Sequence, residues 1–286
     1  MSTPGILYIV ATPIGNLEDL TFRAVRILKE VDLVAAEDTR HTRKLLTHLG
    51  ISKPLTSYFD HNKALKGEYI LERLRSGLSV ALVTDAGTPC ISDPGYQLVR
   101  SAVSERIAVV PVPGACAAIA ALSASGLPTD SFVFLGFLPN RPGKRRECIS
   151  AFQAEKRLVV LYEAPGRLVA TLNDIRELLG ERTVVVAREL TKMHEEFARG
   201  TVSEVMGAFA GRQVRGEVVI LVSPSSDELQ VEGARVESLL ERYLLDGTLS
   251  LKDAVRFVVA ETGLQRSEVY AAALRFKESL KENRSD

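Results

Sequence analysis

The segment SVALVTDAGTPCISDPG, from Ser79 to Gly95, limits the possible folds of this chain more than any other segment. Its first part, Val80 to Val83, is a short apolar run of the kind that forms a strand covered on both faces. The rest is denser in Gly, Pro and Asp than a simple connection needs, and a helical pattern follows it. Since ligands in open α/β sheets bind beyond the carboxyl ends of strands, the segment predicts an α/β fold with a binding loop here. The alternative interpretation is an ordinary loop between a strand and a helix.

The same pattern, an apolar strand followed by a polar loop, recurs along the chain and predicts a repeating α/β organisation. Five loops at the carboxyl ends of predicted strands have the sequences ATPIGN, AEDTR, TDAGTP, PGACA and YEAPGR. A protein that needed only stability would not place polar residues and glycines at so many strand ends. The loops therefore predict a small molecule, held mainly by backbone groups in a trough between two halves of the protein.

The length of 286 residues suits two domains and a small appendage. We predict an N-terminal α/β domain over 1–125 and a C-terminal α/β domain with a second, mixed sheet over 126–225. A helical appendage is predicted over 226–286.

The appendage has the outline of a helix-turn-helix, because the two clearest predicted helices, Leu251–Glu261 and Ser267–Phe276, flank a short turn. From Ser226 onward, nine Lys and Arg stand against twelve Asp and Glu, a net charge of −3. That charge disfavours DNA binding, so a role in dimerisation or RNA docking is the main expectation.

Some element boundaries are predicted from local pattern alone. A helix is expected over Arg43–Leu49, ended by Gly50. The segment Leu138–Arg146 is expected to be a mobile Pro/Gly loop that carries basic residues. The segment Phe197–Thr201 is expected to precede a helix, and no strand is assigned to it.

Composition and motifs argue against several classes of protein. The net charge is zero, so no overall field attracts nucleic acid. We expect no membrane partner, because there is no signal pattern and no apolar run of membrane-spanning length. The absence of G-x-G-x-x-G, G-x-x-x-x-G-K-[ST] and G-x-S-x-G sequences argues against a Rossmann dinucleotide site, a P-loop and a serine hydrolase.

The cysteines and histidines indicate no metal site. The cysteines lack C-x-x-C spacing, which argues against structural zinc and disulfides and fits a reducing cytoplasm. The histidines are not at ligand spacings. The cysteines also lie among small apolar neighbours, where thiols are inert, so we expect transfer of a group from a bound cofactor without a covalent enzyme intermediate. These residues are Cys90, Cys116, Cys148, His41, His48, His61 and His194.

Three clusters of basic residues could bind phosphate groups, and together they favour a polyanionic substrate. The alternative for each cluster is a solvated charged face. The clusters are Arg40, Arg43 and Lys44; Arg141, Lys144, Arg145 and Arg146; and Arg188 with Lys192.

Four segments in order, TPIGNLEDLT, AAEDTRHT, LVTDAGTPCISDPGYQLV and VPVPGACAAIAALSASGLP, resemble the tetrapyrrole methylase superfamily. The resemblance covers Gly5 to Val222 and is strongest to the ribosomal RNA branch, which methylates the 2′-oxygen of a cytidine ribose in the decoding centre of 16S ribosomal RNA. The tail is similar to the C-terminal extension of that branch. The resemblance implies two α/β domains of a non-Rossmann methyltransferase fold, a homodimer, and S-adenosylmethionine bound between the domains. The substrate it implies is 16S ribosomal RNA in the assembled small subunit.

The resemblance also implies which residues lie near the cofactor, with Glu217 as the weakest candidate. They are Pro13, Asp85, Gly87, Pro89, Ile91, Ser92, Ala117, Tyr162 and Glu217. At one position the chain departs from the superfamily, because Thr88 stands where a Gly-Asp-Pro sequence commonly has Asp. The loop Ala11–Asn16 lacks the denser glycines of the porphyrin branch, which weakens the case for a tetrapyrrole substrate.

A ribose 2′-hydroxyl is poorly acidic, so its methylation needs a proton acceptor or strong positioning. The candidate catalytic residues are Asp38, Arg40, His61 and Asn62. We hypothesise that His61 or Asp38 accepts the proton and that Arg40 holds a neighbouring phosphate; the alternative for Asp38 is a helix N-cap. The candidate substrate-binding residues are Arg43, Lys144, Arg145, Arg146 and Arg188.

Two rival functions remain open. One is a methyltransferase that acts on a carbon of a small tetrapyrrole. The other is a non-catalytic nucleic-acid-binding protein that uses the helices of the tail.

Overall fold

The computed structural model describes residues 4–59, 62–224, 226–244, 249–262 and 264–282. The chain divides into two compact units, Met1–Ser223 and Pro224–Asp286. The first unit contains two five-stranded sheets, one formed before residue 126 and one after it. The predicted domain boundaries themselves remain predictions.

The first sheet is parallel throughout, with the strand order β3-β2-β4-β1-β5. The strands Ile6–Val10, Leu33–Ala36 and Val80–Val83 are continuous apolar runs because helices cover both faces of the sheet. Successive residues along a strand contribute to different apolar cores on the two faces of the sheet. Ala35 and Leu82 belong to one core, and Val34 and Ala81 belong to the other. The strands are β1 (Ile6–Val10), β2 (Leu33–Ala36), β3 (Leu55–Ser57), β4 (Val80–Val83) and β5 (Ala108–Val112). The helices of this part are α1 (Phe22–Glu30), α2 (Thr39–His48), α3 (Lys63–Arg75), α4 (Tyr96–Ser104) and α5 (Ala117–Ser125).

The register aligns the carboxyl ends of the central strands. Ala36 of β2 lies opposite Val83 of β4, and Val10 of β1 lies opposite Val112 of β5. The polar loops that follow these strands are therefore neighbours at one edge of the sheet, as the sequence pattern predicted.

The second sheet is mixed, as predicted, with the order β6-β7-β10-β8-β9. Strands β6 and β7 are parallel, and the other neighbours are antiparallel. One face packs on the helices of this half, and the other face packs on α5. The strands are β6 (Phe132–Phe137), β7 (Leu158–Glu163), β8 (Thr183–Arg188), β9 (Glu196–Thr201) and β10 (Val218–Val222). The helices are α6 (Pro142–Ala151), α7 (Leu168–Leu179) and α8 (Val202–Phe209).

The described residues of the second unit form three helices, α9 (Ser226–Leu244), α10 (Leu251–Thr262) and α11 (Arg266–Glu282). Their apolar core includes Leu240, Val255, Val258 and Val269. The last two helices lie within a residue or two of their predicted starts. In the described parts of the chain, no helix combines the length and the apolar character needed to cross a bilayer.

Three predicted boundaries were wrong. Helix α2 begins at Thr39 rather than Arg43, because Asp38 caps it. Helix α6 begins at Pro142, inside the segment expected to be a loop, because proline is well suited to the first turn of a helix. The residues Glu196–Thr201 form a strand that lacks an apolar run and is held by pairing with all six residues of β8.

Candidate active site

A cavity of about 360 Å³ lies at the carboxyl end of β4 and is called here the first cavity. Its volume falls within the range of about 300–1,000 Å³ that is typical of ligand sites. Both sheets contribute to its walls: the loops after β2 and β4, the start of α5, and the ends of β6, β7 and β10. Its lining includes Ile14, Glu37, residues 84–88, Ile91, Ser92, Asp93, Cys116, Ala117, Phe137, Tyr162, residues 163–165 and residues 216–219.

The loop after β4 has a tightly fixed backbone. Gly87 has φ +83° and forms an antiparallel bridge with Thr12, whose N–H donates to the Gly87 carbonyl at 2.8 Å and whose carbonyl accepts from the Gly87 N–H at 3.1 Å. Cys90 and Ser92 also have left-handed backbone, which is uncommon outside glycine. At Gly95 a Cβ would lie 2.3 Å from the Cys90 sulfur. The glycines that the sequence singled out are thus required by the loop.

One wall of the first cavity is acidic. The Glu37 carboxylate accepts a hydrogen bond from the Thr84 hydroxyl at 2.6 Å, and the Asp85 carboxylate accepts one from the Asp38 N–H at 3.1 Å. Burial raises the pKa of Asp85. Burial, together with the charge of Glu37, raises the pKa of Asp93 to about 6. A cationic ligand group would relieve the repulsion among these carboxylates.

The opposite wall is apolar and aromatic. The Tyr162 hydroxyl accepts a hydrogen bond from the Ala118 N–H at 3.2 Å, and burial raises the pKa of that phenol. The rings of Phe134 and Phe137 meet the Tyr162 ring edge-on, with centroids 4.9 Å and 5.5 Å away. Ile91, which also lines the cavity, is 42 % exposed. This wall suits a flat apolar ring, while the acidic wall suits a positive charge.

Most of the residues expected near a cofactor line the first cavity: Asp85, Gly87, Ile91, Ser92, Ala117, Tyr162 and Glu217. Pro13 lines the neighbouring cavity instead, and Pro89 is buried in the loop. Sequence reasoning missed Glu37, Ile14 and Phe137. Glu37 could have been found, because it directly follows β2, the neighbour of β4.

A second cavity of about 340 Å³ adjoins the first. The two share the residues Ile14, Thr84, Asp85, Ala86 and Glu217 as a common wall. The remaining lining is Thr12, Pro13, Gly15, Leu17, His41, Thr42, Lys44, Leu45, His48 and Lys192.

Of the candidate catalytic residues, the three that the structure describes (Asp38, Arg40 and Asn62) do not line the first cavity. Asp38 caps α2: its carboxylate accepts from the Arg40 N–H at 2.8 Å and pairs with the Arg40 guanidinium at 2.7 Å. These contacts hold the pKa of Asp38 well below its usual range, which makes Asp38 a weak proton acceptor. The alternative interpretation of Asp38 as a helix cap therefore fits the structure better. The Arg40 side chain is 88 % exposed.

Asn62 shapes the turn after β3. Its side-chain oxygen accepts from the Phe59 N–H at 2.9 Å, and its amide donates to the Ser57 hydroxyl at 3.1 Å. His61 lies outside the described residues.

The basic residues of α6 do not reach the first or the second cavity. Arg145 is buried and pairs with Asp174 at 2.7 Å; Arg146 pairs with Asp174 and Glu177, each at 2.7 Å. Lys144 is exposed on the same helix. The expected phosphate-binding loop is thus a helix whose two arginines hold α7.

Of the other substrate-binding candidates, Arg188 pairs with Glu196 at 2.9 Å and donates to the Arg215 carbonyl. Arg43 is exposed on α2. Across the described residues, no three His, Cys, Asp or Glu side chains come together in a way that could hold a metal ion.

Comparisons with known proteins agree with this architecture. Residues 6–206 match the family "Tetrapyrrole (Corrin/Porphyrin) Methylases", and residues 231–277 match "RsmI C-terminal HTH domain". The chain is 47% identical over 271 residues to the Ribosomal RNA small subunit methyltransferase I of Halalkalibacterium halodurans, covering 93% of each chain. It is 45% identical over 277 residues to the protein of the same name from Bacillus subtilis, covering 95% of this chain and 94% of that one.

Solved structures share the fold at low sequence identity. A diphthine synthase superposes with a TM-score of 0.62 at 15% identity, over 77% of this chain and 90% of its own. The uroporphyrin-III C-methyl transferase from Thermus thermophilus, complexed with S-adenyl homocysteine, superposes with a TM-score of 0.53 at 21% identity, over 77% of this chain and 97% of its own.

Proposed function

The chain belongs to the tetrapyrrole methylase family, and from that premise we propose that it transfers a methyl group from S-adenosylmethionine to ribosomal RNA of the small subunit. More specifically, we propose that the target is the 2′-hydroxyl of a cytidine in 16S ribosomal RNA of the assembled subunit, and that the enzyme meets it in the cytoplasm as a homodimer. The names of the relatives support the RNA substrate.

The observation that carries the proposal is the two-sided first cavity, whose groups suit this cofactor. The carboxylates of Asp85 and Asp93 face a space where a sulfonium and an ammonium group would be favoured. Ile91 and the aromatic wall beside Tyr162 suit an adenine ring. When bound, S-adenosylmethionine supplies an electrophilic methyl carbon on a positively charged sulfur.

The residues of the chain then have to orient the acceptor and take up its proton. We assign the role of proton acceptor to Asp85, because Asp85 lies in the wall shared by both cavities. Its raised pKa suits proton uptake near neutral pH better than the lowered pKa of Asp38 does. Asp38 keeps a positioning role, since it orders the first turn of α2 and holds Arg40 at the surface.

A methyl-transfer assay with labelled S-adenosylmethionine tests the function. We expect label in 16S ribosomal RNA of isolated small subunits, at a ribose whose 3′ phosphodiester resists alkaline hydrolysis. Label in a uroporphyrin-type tetrapyrrole instead would favour the first rival. Binding of RNA without binding of the cofactor in calorimetry would favour the second.

The Asp85→Asn substitution tests the proton acceptor in the same assay. We expect turnover at saturating cofactor to fall by about 10²–10⁴-fold, since the amide cannot accept the proton. Cofactor affinity in calorimetry should fall by a much smaller factor. The matched control is Asp130→Asn at an exposed position. Turnover close to that of the control would rule out Asp85 as the acceptor.

A further inference from the structure

We infer that the second cavity binds the single ribonucleotide that accepts the methyl group, with Lys44 and Lys192 holding its phosphates and its ribose against Asp85. This inference rests on the proposed function and adds the place and the charge pattern by which the substrate is held.

The position of the second cavity is the first observation. The second cavity shares one wall with the first cavity. Asp85, Thr84 and Ile14 line both cavities. A hydroxyl bound in the second cavity can therefore approach a methyl group presented from the first. As the new C–O bond forms, the C–S bond breaks with its electron pair going to sulfur, and Asp85 receives the hydroxyl proton.

The distribution of charge is the second observation. His41, Lys44 and His48 are spaced three and four residues apart, so they share one face of α2. Lys44 is exposed and forms no ion pair with any residue that the structure describes. The acids Asp85 and Glu217 lie instead in the shared wall. The cavity is thus cationic on the side of α2 and acidic toward the first cavity, which matches a phosphate at one end and a hydroxyl at the other.

Lys192 supplies a cation from the other half of the protein. Its methylenes pack against Gly15, where a Cβ would lie 2.5 Å from the lysine Cγ. Its ammonium pairs with Glu189 at 2.9 Å. Lys192 and Lys44 thus line the same cavity from different halves of the protein, so that both can contact the phosphates of one nucleotide.

The volume limits what can enter. A space of about 340 Å³ accommodates one nucleotide but not a base-paired helix. The target nucleotide must therefore leave its stack, or lie in a single-stranded segment, before it is methylated.

Single substitutions Lys44→Gln and Lys192→Gln test the inference in the full-length protein with isolated, unmethylated small subunits and no cofactor. We expect each to weaken binding about threefold to tenfold and to lower the slope of log affinity against log monovalent salt by about 1, since one phosphate contact is lost. Affinity for S-adenosylmethionine in calorimetry should stay within about twofold of the wild type. The matched control is Lys29→Gln, at an exposed position before β2, which lies toward the opposite edge of the sheet.

The outcomes separate the inference from the function. If the wild type methylates small subunits but both lysine variants bind like Lys29→Gln with an unchanged salt slope, the second cavity is not the nucleotide site. If Lys192→Gln loses its fold because of the packing on Gly15, the exposed Lys44 decides the question alone. If the wild type methylates no small subunit, the proposed function fails independently of either variant.

Discussion

Lys44 of α2 and the arginines Arg145 and Arg146 of α6 all belong to basic clusters in the sequence, yet the fold gives them opposite surroundings. On α2, Lys44 lines the second cavity and a neighbouring hollow, and it is unpaired within the described residues. On α6, Arg145 and Arg146 are neutralised by carboxylates of α7. Of these two helices, only α2 therefore offers a cavity-lining lysine that no carboxylate among the described residues neutralises.

The acids near the two helices differ in the same way. Hydrogen bonding to Arg146 lowers the pKa of Glu177 on α7, whereas burial raises the pKa values of Asp85 and Asp93 near α2. The charges of Arg145 and Arg146 are therefore neutralised before any ligand arrives. Lys44 has no such partner among the described residues, and this difference leads us to assign stability to the arginine pair of α6 and binding to Lys44.

The prediction with the largest expected effect concerns the ion pair between Arg145 of α6 and Asp174 of α7. Asp174→Ala leaves the buried Arg145 without its carboxylate, so the free energy of unfolding should fall by about 3–5 kcal/mol in urea titrations. Binding of small subunits, measured below the unfolding transition, should not change. The control Glu177→Gln removes only an exposed partner and should have little effect on stability. If the folded Asp174→Ala variant bound RNA weakly, α6 would have to be part of the RNA-binding surface.

A second test uses pH and concerns the acids near α2. Asp93 has a pKa of about 6 without a ligand, and a cationic cofactor favours its ionised form. Affinity for S-adenosylmethionine in calorimetry should therefore rise about tenfold from pH 5 to pH 7. The groups that interact with Asp93 include Glu37, Thr84, Asp85 and Glu217, together with the Cys90 thiol and the Tyr162 phenol. Asp93→Asn should flatten the pH profile; an unchanged profile would show that another group controls it.

The smallest effect is expected at Arg43, which does not line the second cavity but lines two other hollows, one of them together with Lys44 and His48. Arg43→Gln should weaken binding of small subunits less than about twofold, because an exposed charge outside the nucleotide cavity contributes mainly to the long-range attraction. Its effect should thus fall between those of Lys44→Gln and Arg146→Gln in filter binding. If Arg43→Gln weakened binding more than Lys44→Gln does, the RNA would have to bind along α2 outside the second cavity.

The strand ends could be predicted from sequence because parallel strands buried on both faces leave an unmistakable apolar run. Val80–Val83 and the loop after it are the clearest case, and the required glycines Gly87 and Gly95 lie where expected. The residues expected near the cofactor were identified by resemblance, and most of them line one cavity.

What could not be predicted depends on partners that are distant in sequence. Arg145 finds Asp174 across 29 residues, and no local pattern reveals that pairing. The strand Glu196–Thr201 has no apolar alternation and exists because β8 offers an edge to pair with. By contrast, the start of α2 at Thr39 could have been predicted from the local sequence, since Asp38 is a favoured capping residue.

The backbone bridge between Thr12 and Gly87 has a consequence for product release. Because both polar groups of Gly87 are satisfied within the chain, the folding of the protein, and not the arrival of a ligand, shapes this part of the loop. A preformed loop cannot tell the methyl donor from its demethylated product by closing on one of them. The two molecules must therefore be distinguished by their charge. Loss of the methyl group removes the positive charge from sulfur and leaves the carboxylates facing a neutral thioether, which favours dissociation of the demethylated product.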